Sequence, residues 1–392
     1  MRAGEKMVKQ FLEQKEKKVE YVELIYDLIF VFIIGRNNAL LHHTENGFIT
    51  FSAFVMYAIC TLAVIQIWNY TTYYINGYGR HSVRDHVFLF INMFLMYFLA
   101  VGTRSDWQNG HTMYHIAWAL ILLNIGAQYL IERRHHKGDA VETRRITRMT
   151  IILFCEAALV ALAMLEFELN GSTYTSLGAI LFGIASVMLA GRDKSITRVD
   201  FEHLSERAML YVVFTFGEMI IAIATYFDGN MSVRDIYFAL MGFLIVVGLF
   251  LSYGVIYDHM LDRERQTNGL SYMFIHIFLI FSLNNITSAL EFMRDEDINL
   301  IEKMSFMVGS ILIYFAFLFA TSRYAKRRCH MTKGFVIRMV ILAVVFAVLM
   351  FLFREVMLVN IALTVVFVFT IFLVLYLSSR KMERDMTADN HL

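Results

Sequence analysis

Apolar runs of about 20 residues recur along the whole chain with short polar connections between them, and each is long enough to cross roughly 30 Å of hydrocarbon as a helix. In windows of about 19 residues the pattern predicts twelve spans, near 21–41, 48–75, 85–103, 111–131, 146–169, 172–190, 203–228, 235–258, 269–292, 302–322, 335–353 and 356–377. The connections leave no room for a soluble domain. The expected fold is therefore an all-α integral membrane protein. Spans 1 and 7 open equivalent halves, because an offset of 182 pairs Glu20 with Glu202, Gly35 with Gly217 and Arg36 with Glu218. Two six-helix halves with an even number of spans each would form a parallel repeat about an axis normal to the bilayer, the alternative being chance similarity among apolar helices. The corresponding map is a cytoplasmic basic segment at 1–20, a first half at 21–192, a cytoplasmic linker at 193–202, a second half at 203–379 and a cytoplasmic tail at 380–392. Met7, Phe11 and Val19 among the lysines of the first segment suit either a helix lying on anionic lipid or, as expected here, a solvated leader. That leader reads as too polar for a secretory signal.

Composition agrees with the pattern. Of 392 residues, 58% are hydrophobic, 15% aromatic and only 18% charged, well outside the range of soluble domains. A net charge of +1 gives no nucleic-acid footprint. Cys60, Cys155 and Cys329 are odd in number and lack CxxC spacing, so neither a disulfide framework nor a zinc knuckle is encoded. Proline is absent, so any helix break must come from Gly or polar residues such as Gly35-Arg36-Asn37-Asn38 or Gly217-Glu218. The basic residues are sorted by loop. Twenty-eight Lys and Arg lie in the leader, the even-numbered connections and the tail, against five in the opposite connections, which predicts that both termini are cytoplasmic.

Spans 2, 4, 6, 8, 10 and 12 carry essentially no charge in their cores and can face lipid, whereas spans 1, 5 and 7 hold Asp27, Arg36, Glu156 and Glu218. A charge at the bilayer centre costs at least about 2.5–3.5 kcal/mol, so these groups should face protein or a wet cavity and have partners. In span 1, Glu23 and Asp27 sit one turn apart, with Asn38 returning to their face. Two acids so placed require a cation or a retained proton, unless Glu23 is interfacial and Asp27 merely accepts bonds from a neighbouring helix. In span 7, His203, Arg207, Phe214 and Glu218 form one stripe, with Gly217 permitting close approach. Arg207 and Glu218 are about 16 Å apart along the helix and need partners elsewhere. Glu23 and Asp27 are the candidates for Arg207, and Arg36 is the candidate for Glu218. Glu156 has no acid or base within a turn and reads as a protonation site or a neutral acid bonded to a backbone carbonyl. Asn284, Ser288 and Glu291 share a face in span 9, which suits a polar pathway or helix-to-helix hydrogen bonding. Trp68-Asn69 with Gln66 and Tyr73 reads as an interfacial aromatic belt. Asp85-His86 and Asp258-His259 lack the spacing of a strong metal site, and neither metal nor cofactor is expected.

Two stretches together resemble a known family. Val22-Glu23-Leu24-Ile25-Tyr26-Asp27-Leu28-Ile29-Phe30-Val31-Phe32 and His203-Leu204-Ser205-Glu206-Arg207 followed by Gly217-Glu218 are similar to the ELxxDLxFVF and HxxER(x)9GE pattern of the bacterial low temperature requirement protein A family. The resemblance implies a bacterial cell-membrane protein linked to growth in the cold, without an established chemistry. It nominates Glu23, Asp27, His203, Glu206, Arg207, Gly217 and Glu218, and it does not include Arg36. The leading functional expectation is a secondary transporter, proton- or cation-coupled, with its site in a cavity between spans 1 and 7. The alternatives are an embedded enzyme acting on lipid or isoprenoid, a non-catalytic membrane factor for growth in the cold, and a channel. Expected partners are the bilayer and a small molecule or ion, with a homodimer as an open alternative.

Overall fold

The computed structural model describes residues 19–80, 82–103, 107–191, 199–227, 232–326 and 331–389. The basic leader up to residue 18, Arg104, the linker at 193–198, Cys329 and the last three residues lie outside the described residues. Among the described residues twelve α-helices follow one another: α1 (Tyr21–Asn37), α2 (Phe51–Tyr78), α3 (Val83–Gly102), α4 (Trp107–Glu132), α5 (Ala140–Asn170), α6 (Tyr174–Ala190), α7 (Phe201–Ala224), α8 (Val233–Gly254), α9 (Leu270–Phe292), α10 (Leu300–Ala320), α11 (Lys333–Leu352) and α12 (Met357–Asp389). Eleven are long and apolar enough to cross a membrane. The twelfth, α6, is apolar but has 17 residues, about 26 Å of helix. The chain is an all-α multi-pass membrane protein.

The helices begin where a short polar side chain can take up exposed backbone N–H groups. Asp139 accepts from Val141 and Glu142, and Asp200 accepts from His203. Ser82 with Asp85 and Ser232 with Asp235 form reciprocal capping boxes for α3 and α8. Asp85 therefore caps α3 and pairs with Arg84. The second span opens at Phe51 because Phe48–Ile49 (β2) pairs back on Thr44–Glu45 (β1). The Asn46-Gly47 turn between them has φ of 53° and 80°, the left-handed pair that this dipeptide adopts readily.

At the centre α1, α2, α7 and α9 pack on one another. Helices α3 to α6 flank α1 and α2, while α8 packs on α7, α10 on α9, α12 on α8, and α11 on α10 and α12. The pairings of α1 with α3, α3 with α4, α4 with α5 and α5 with α6 recur six helices later. Burial follows this plan: 83% of the apolar window of α9 is enclosed, against 22% for α11. Lack of charge permits a lipid-facing place but does not require it. Helix α2 is uncharged yet central, with Tyr57, Trp68 and Tyr74 wholly buried. Its Gln66, Trp68, Tyr70, Thr71 and Asn76 side chains make hydrogen bonds inside the protein, which suits it to the centre.

Candidate functional site

Glu23 and Asp27 lie one turn apart on α1, and His203 and Arg207 one turn apart on α7, on the faces where the two helices meet. The planar guanidinium of Arg207 spans both acids, since its fork matches two acceptors a helical turn apart. Its Nη1 donates to Glu23 Oε2, and its Nη2 donates to Asp27 Oδ1 at 2.5 Å. Arg207 and Asp27 are wholly buried and Glu23 nearly so. Helix α2 closes the cluster: Trp68 Nε1 donates to Asp27 Oδ1 at 2.8 Å, and its ring lies 6.0 Å from the Arg207 guanidinium carbon. Tyr211 packs against Trp68 with ring centres 4.5 Å apart.

His203 extends the cluster towards the end of the bundle at which α1 begins. Its Nε2 is 3.7 Å from Glu23 Oε2, and its Nδ1 is 3.1 Å from Asn76 Nδ2. Asn76 is clamped to the start of α7, donating to the Asp200 carbonyl at 2.8 Å and accepting from the Asp200 N–H at 3.2 Å. One guanidinium thus faces two carboxylates in a region closed to water. Among the described residues, Asp27 Oδ2 and Arg207 Nε have no hydrogen-bond partner. The partners expected for Arg207 are the ones it has.

The pairing expected for Glu218 does not form. Arg36 is exposed, with its guanidinium 5.9 Å over the ring of Phe32 one turn earlier. The Glu218 carboxylate lies against Gly35 instead, where a Cβ would strike it. Neighbouring positions on a helix point about 100° apart, so the face of α1 that presents Gly35 to α7 turns Arg36 outward. Gly217 is not the close-approach glycine either, since a Cβ there would meet nothing within 4 Å. Gly35 fills that role. Glu206 is half-buried, one position away from the buried face of Arg207.

A protein-family model described as bacterial low temperature requirement A protein matches residues 18–375. The chain belongs to the bacterial low temperature requirement A family. The match includes both helices that carry the buried cluster, so the two stretches that resembled this family in the sequence are adjacent in its fold. No individual curated protein matches the chain.

Two further polar clusters occupy the core of this family member. Glu156 of α5 accepts from the Tyr70 hydroxyl at 2.5 Å, and that hydroxyl accepts from Gln66 Nε2 at 2.6 Å. The partner of Glu156 is therefore a phenol on α2 rather than a backbone carbonyl. Gly183 of α6 makes room for all three side chains, and a Cβ there would strike each of them. Towards the opposite end of the bundle, Tyr57 donates to Asn285 Oδ1 at 2.6 Å and accepts from Asn284 Nδ2 at 2.7 Å, while Asn37 donates to Thr61. Asn284 thus joins α9 to α2 by hydrogen bonds. Glu291 lies two turns on and is half-buried.

Reading α2 as an aromatic belt missed its role. Trp68 reaches Asp27, Tyr70 reaches Glu156, and Tyr73 donates to the Asn268 carbonyl at 3.4 Å. The signal was present in the spacing: Gln66, Asn69, Tyr73 and Asn76 recur at three and four residues, a stripe that a belt at one depth does not need. One cavity lies against Asn46, Arg234 and Lys303 and another against Tyr70, Tyr129 and Arg145, and neither is lined by Glu23, Asp27, Arg207 or Glu218. The join of α1 and α7 is a seam of enclosed side chains.

Proposed function

We propose that this family member is a secondary transporter of a small substrate, driven by a proton or another cation that binds at the join of α1 and α7. The observation that carries this reading is the imbalance of one guanidinium against two carboxylates, all buried. With His203 neutral the cluster bears one negative charge, and a charge enclosed at membrane depth is costly unless compensated. A proton or a cation would complete it. The compensated cluster would hold the seam shut, and loss of that ion would weaken the seam and let the two groups of helices rock apart. The twelve-helix plan, with pairings that recur after six, supports such alternating access between halves. Glu23 and Asp27 would carry the coupling ion, Arg207 would be the fixed counter-charge, and His203 would link the cluster to water at the end of the bundle where α1 begins. By the bias of basic loops, that end and both termini would face the cytoplasm of a bacterial cell.

The test is uptake by proteoliposomes of the purified protein under an imposed pH or sodium gradient, screened across organic acids, amines, sugars and inorganic ions. Gradient-driven uptake of one class should fall at least about tenfold in the Glu23→Gln, Asp27→Asn double variant. Uptake indifferent to both the gradient and the double variant would refute the reading.

A further inference from the structure

We propose that Glu156 is a proton-binding site, and that its proton closes a ring of hydrogen bonds through Gln66 and Tyr70 that ties α5 to α2. The site is separate from the join of α1 and α7. It stands whether or not the chain moves a substrate.

Most of the ring is already in place. Gln66 Nε2 donates to the Tyr70 hydroxyl at 2.6 Å, and that hydroxyl donates onward to Glu156 Oε2 at 2.5 Å. The remaining oxygens of the two end groups, Gln66 Oε1 and Glu156 Oε1, are buried and have no hydrogen-bond partner. Both are acceptors, so neither can satisfy the other unless a hydrogen is added. Amide, phenol and carboxyl converge on Gly183, where a Cβ would strike all three, so the end groups meet in one niche of α6. A proton on Glu156 Oε1 turns that oxygen into a donor, and Gln66 Oε1 is the acceptor available to it. One hydrogen then serves both orphaned atoms.

Charge points the same way. Glu156 is wholly enclosed, about halfway along α5, and an ionised carboxylate there would rest on a single neutral donor. An uncompensated charge at that depth is among the costliest arrangements in a membrane protein. The groups around it supply no counter-charge. Tyr70 of α2 is a phenol, as is Tyr129 of α4, which shares a cavity wall with it. His115 of α4 is bonded to Ser176, and Glu166 and Glu168 bind Thr175 and Thr112 at the far end of α5. Helix α6 contains no Asp, Glu, Lys, Arg or His. Arg148, the cation nearest along α5, is eight residues away, about 12 Å of helix. A metal cation suits the niche less well than a proton, because hard cations gather about six or more oxygens. Here one carboxylate faces an amide that presents its NH2 group to Gly183.

Infrared spectroscopy of the purified protein in detergent tests the proposal, because a protonated carboxyl has a carbonyl band that a carboxylate lacks. At neutral pH the parent should show an acid band that Glu156→Gln loses. Tyr70→Phe should keep that band and shift it to higher frequency, since the carbonyl loses its donor, a signature that a merely structural tyrosine would not give. Melting against pH is the second readout. The amide of Glu156→Gln carries an N–H where the proton would sit, so this variant should melt like the parent at neutral pH. At alkaline pH the parent alone should lose stability as the proton leaves, and the gap in Tm should widen as pH rises. An acid band unchanged in both variants would overturn the proposal. So would sodium or lithium raising the Tm of the parent but not of Glu156→Gln at constant ionic strength, because a metal cation would then hold the site. If Glu156→Gln fails to fold, Tyr70→Phe still decides the matter, since it leaves the acid in place and an unshifted band would refute the ring.

Discussion

Arg207 has exchanged water for two carboxylates and an indole, and the exchange is worthwhile only as a set. Removing one member of a buried ion pair costs about 3–5 kcal/mol, because the remaining charge has no compensation, whereas replacing the whole set with neutral groups of similar size is often tolerated. Arg207→Met should therefore lower the melting temperature of the purified protein sharply. The triple variant Arg207→Met, Glu23→Gln, Asp27→Asn should regain most of that loss. Equal melting of the two variants would mean that charge is not what holds the seam. At this scale the sequence was readable where energy left few options: a cation in an apolar run must meet an acid, and Glu23 and Asp27 were the acids at matching depth. The same logic failed for Arg36 and Glu218. Equal depth does not fix azimuth, and one residue of rotation sends Arg36 outward to Phe32.

Helix positions followed from apolar runs, although α5 begins before its run at Ala140 and α12 extends past its run to Asp389, while the role of α2 did not. Trp, Tyr, Asn and Gln occur both in interfacial belts and in buried hydrogen-bond networks, and only the partners on α1, α5 and α7 distinguish the two. Glycines show the same dependence on neighbours. Gly183 lies where Gln66, Tyr70 and Glu156 converge, and Gly217 lies against nothing. Gly183→Ala should cost about 1–3 kcal/mol through overpacking, since its methyl would strike three hydrogen-bonded atoms that cannot all move. Gly217→Ala should be neutral or stabilising by up to about 1 kcal/mol, as expected for an unobstructed helix position. Thermal melting of the two variants in detergent checks the contrast, and equal destabilisation would contradict the packing described.

Over the whole molecule, the four central helices draw equally on both ends of the sequence, which is why no window of residues showed which helices are innermost. Sidedness is a property of this scale too. On a cysteine-free background, Lys137→Cys should react with an impermeant maleimide only from the cytoplasmic face and Glu45→Cys only from the opposite face, both positions being exposed in connections of opposite parity. Labelling of both from one face would reverse or break the predicted topology. The link between α1 and α7 also sets a timetable for synthesis. Glu23 and Asp27 leave the ribosome 184 and 180 residues before Arg207, a delay of roughly 10–40 s at about 5–20 residues per second. Through that interval α1 carries two acids whose permanent companion has not been made, so a nascent chain must shelter them with protons, lipid headgroups or the insertion machinery until the seventh helix arrives.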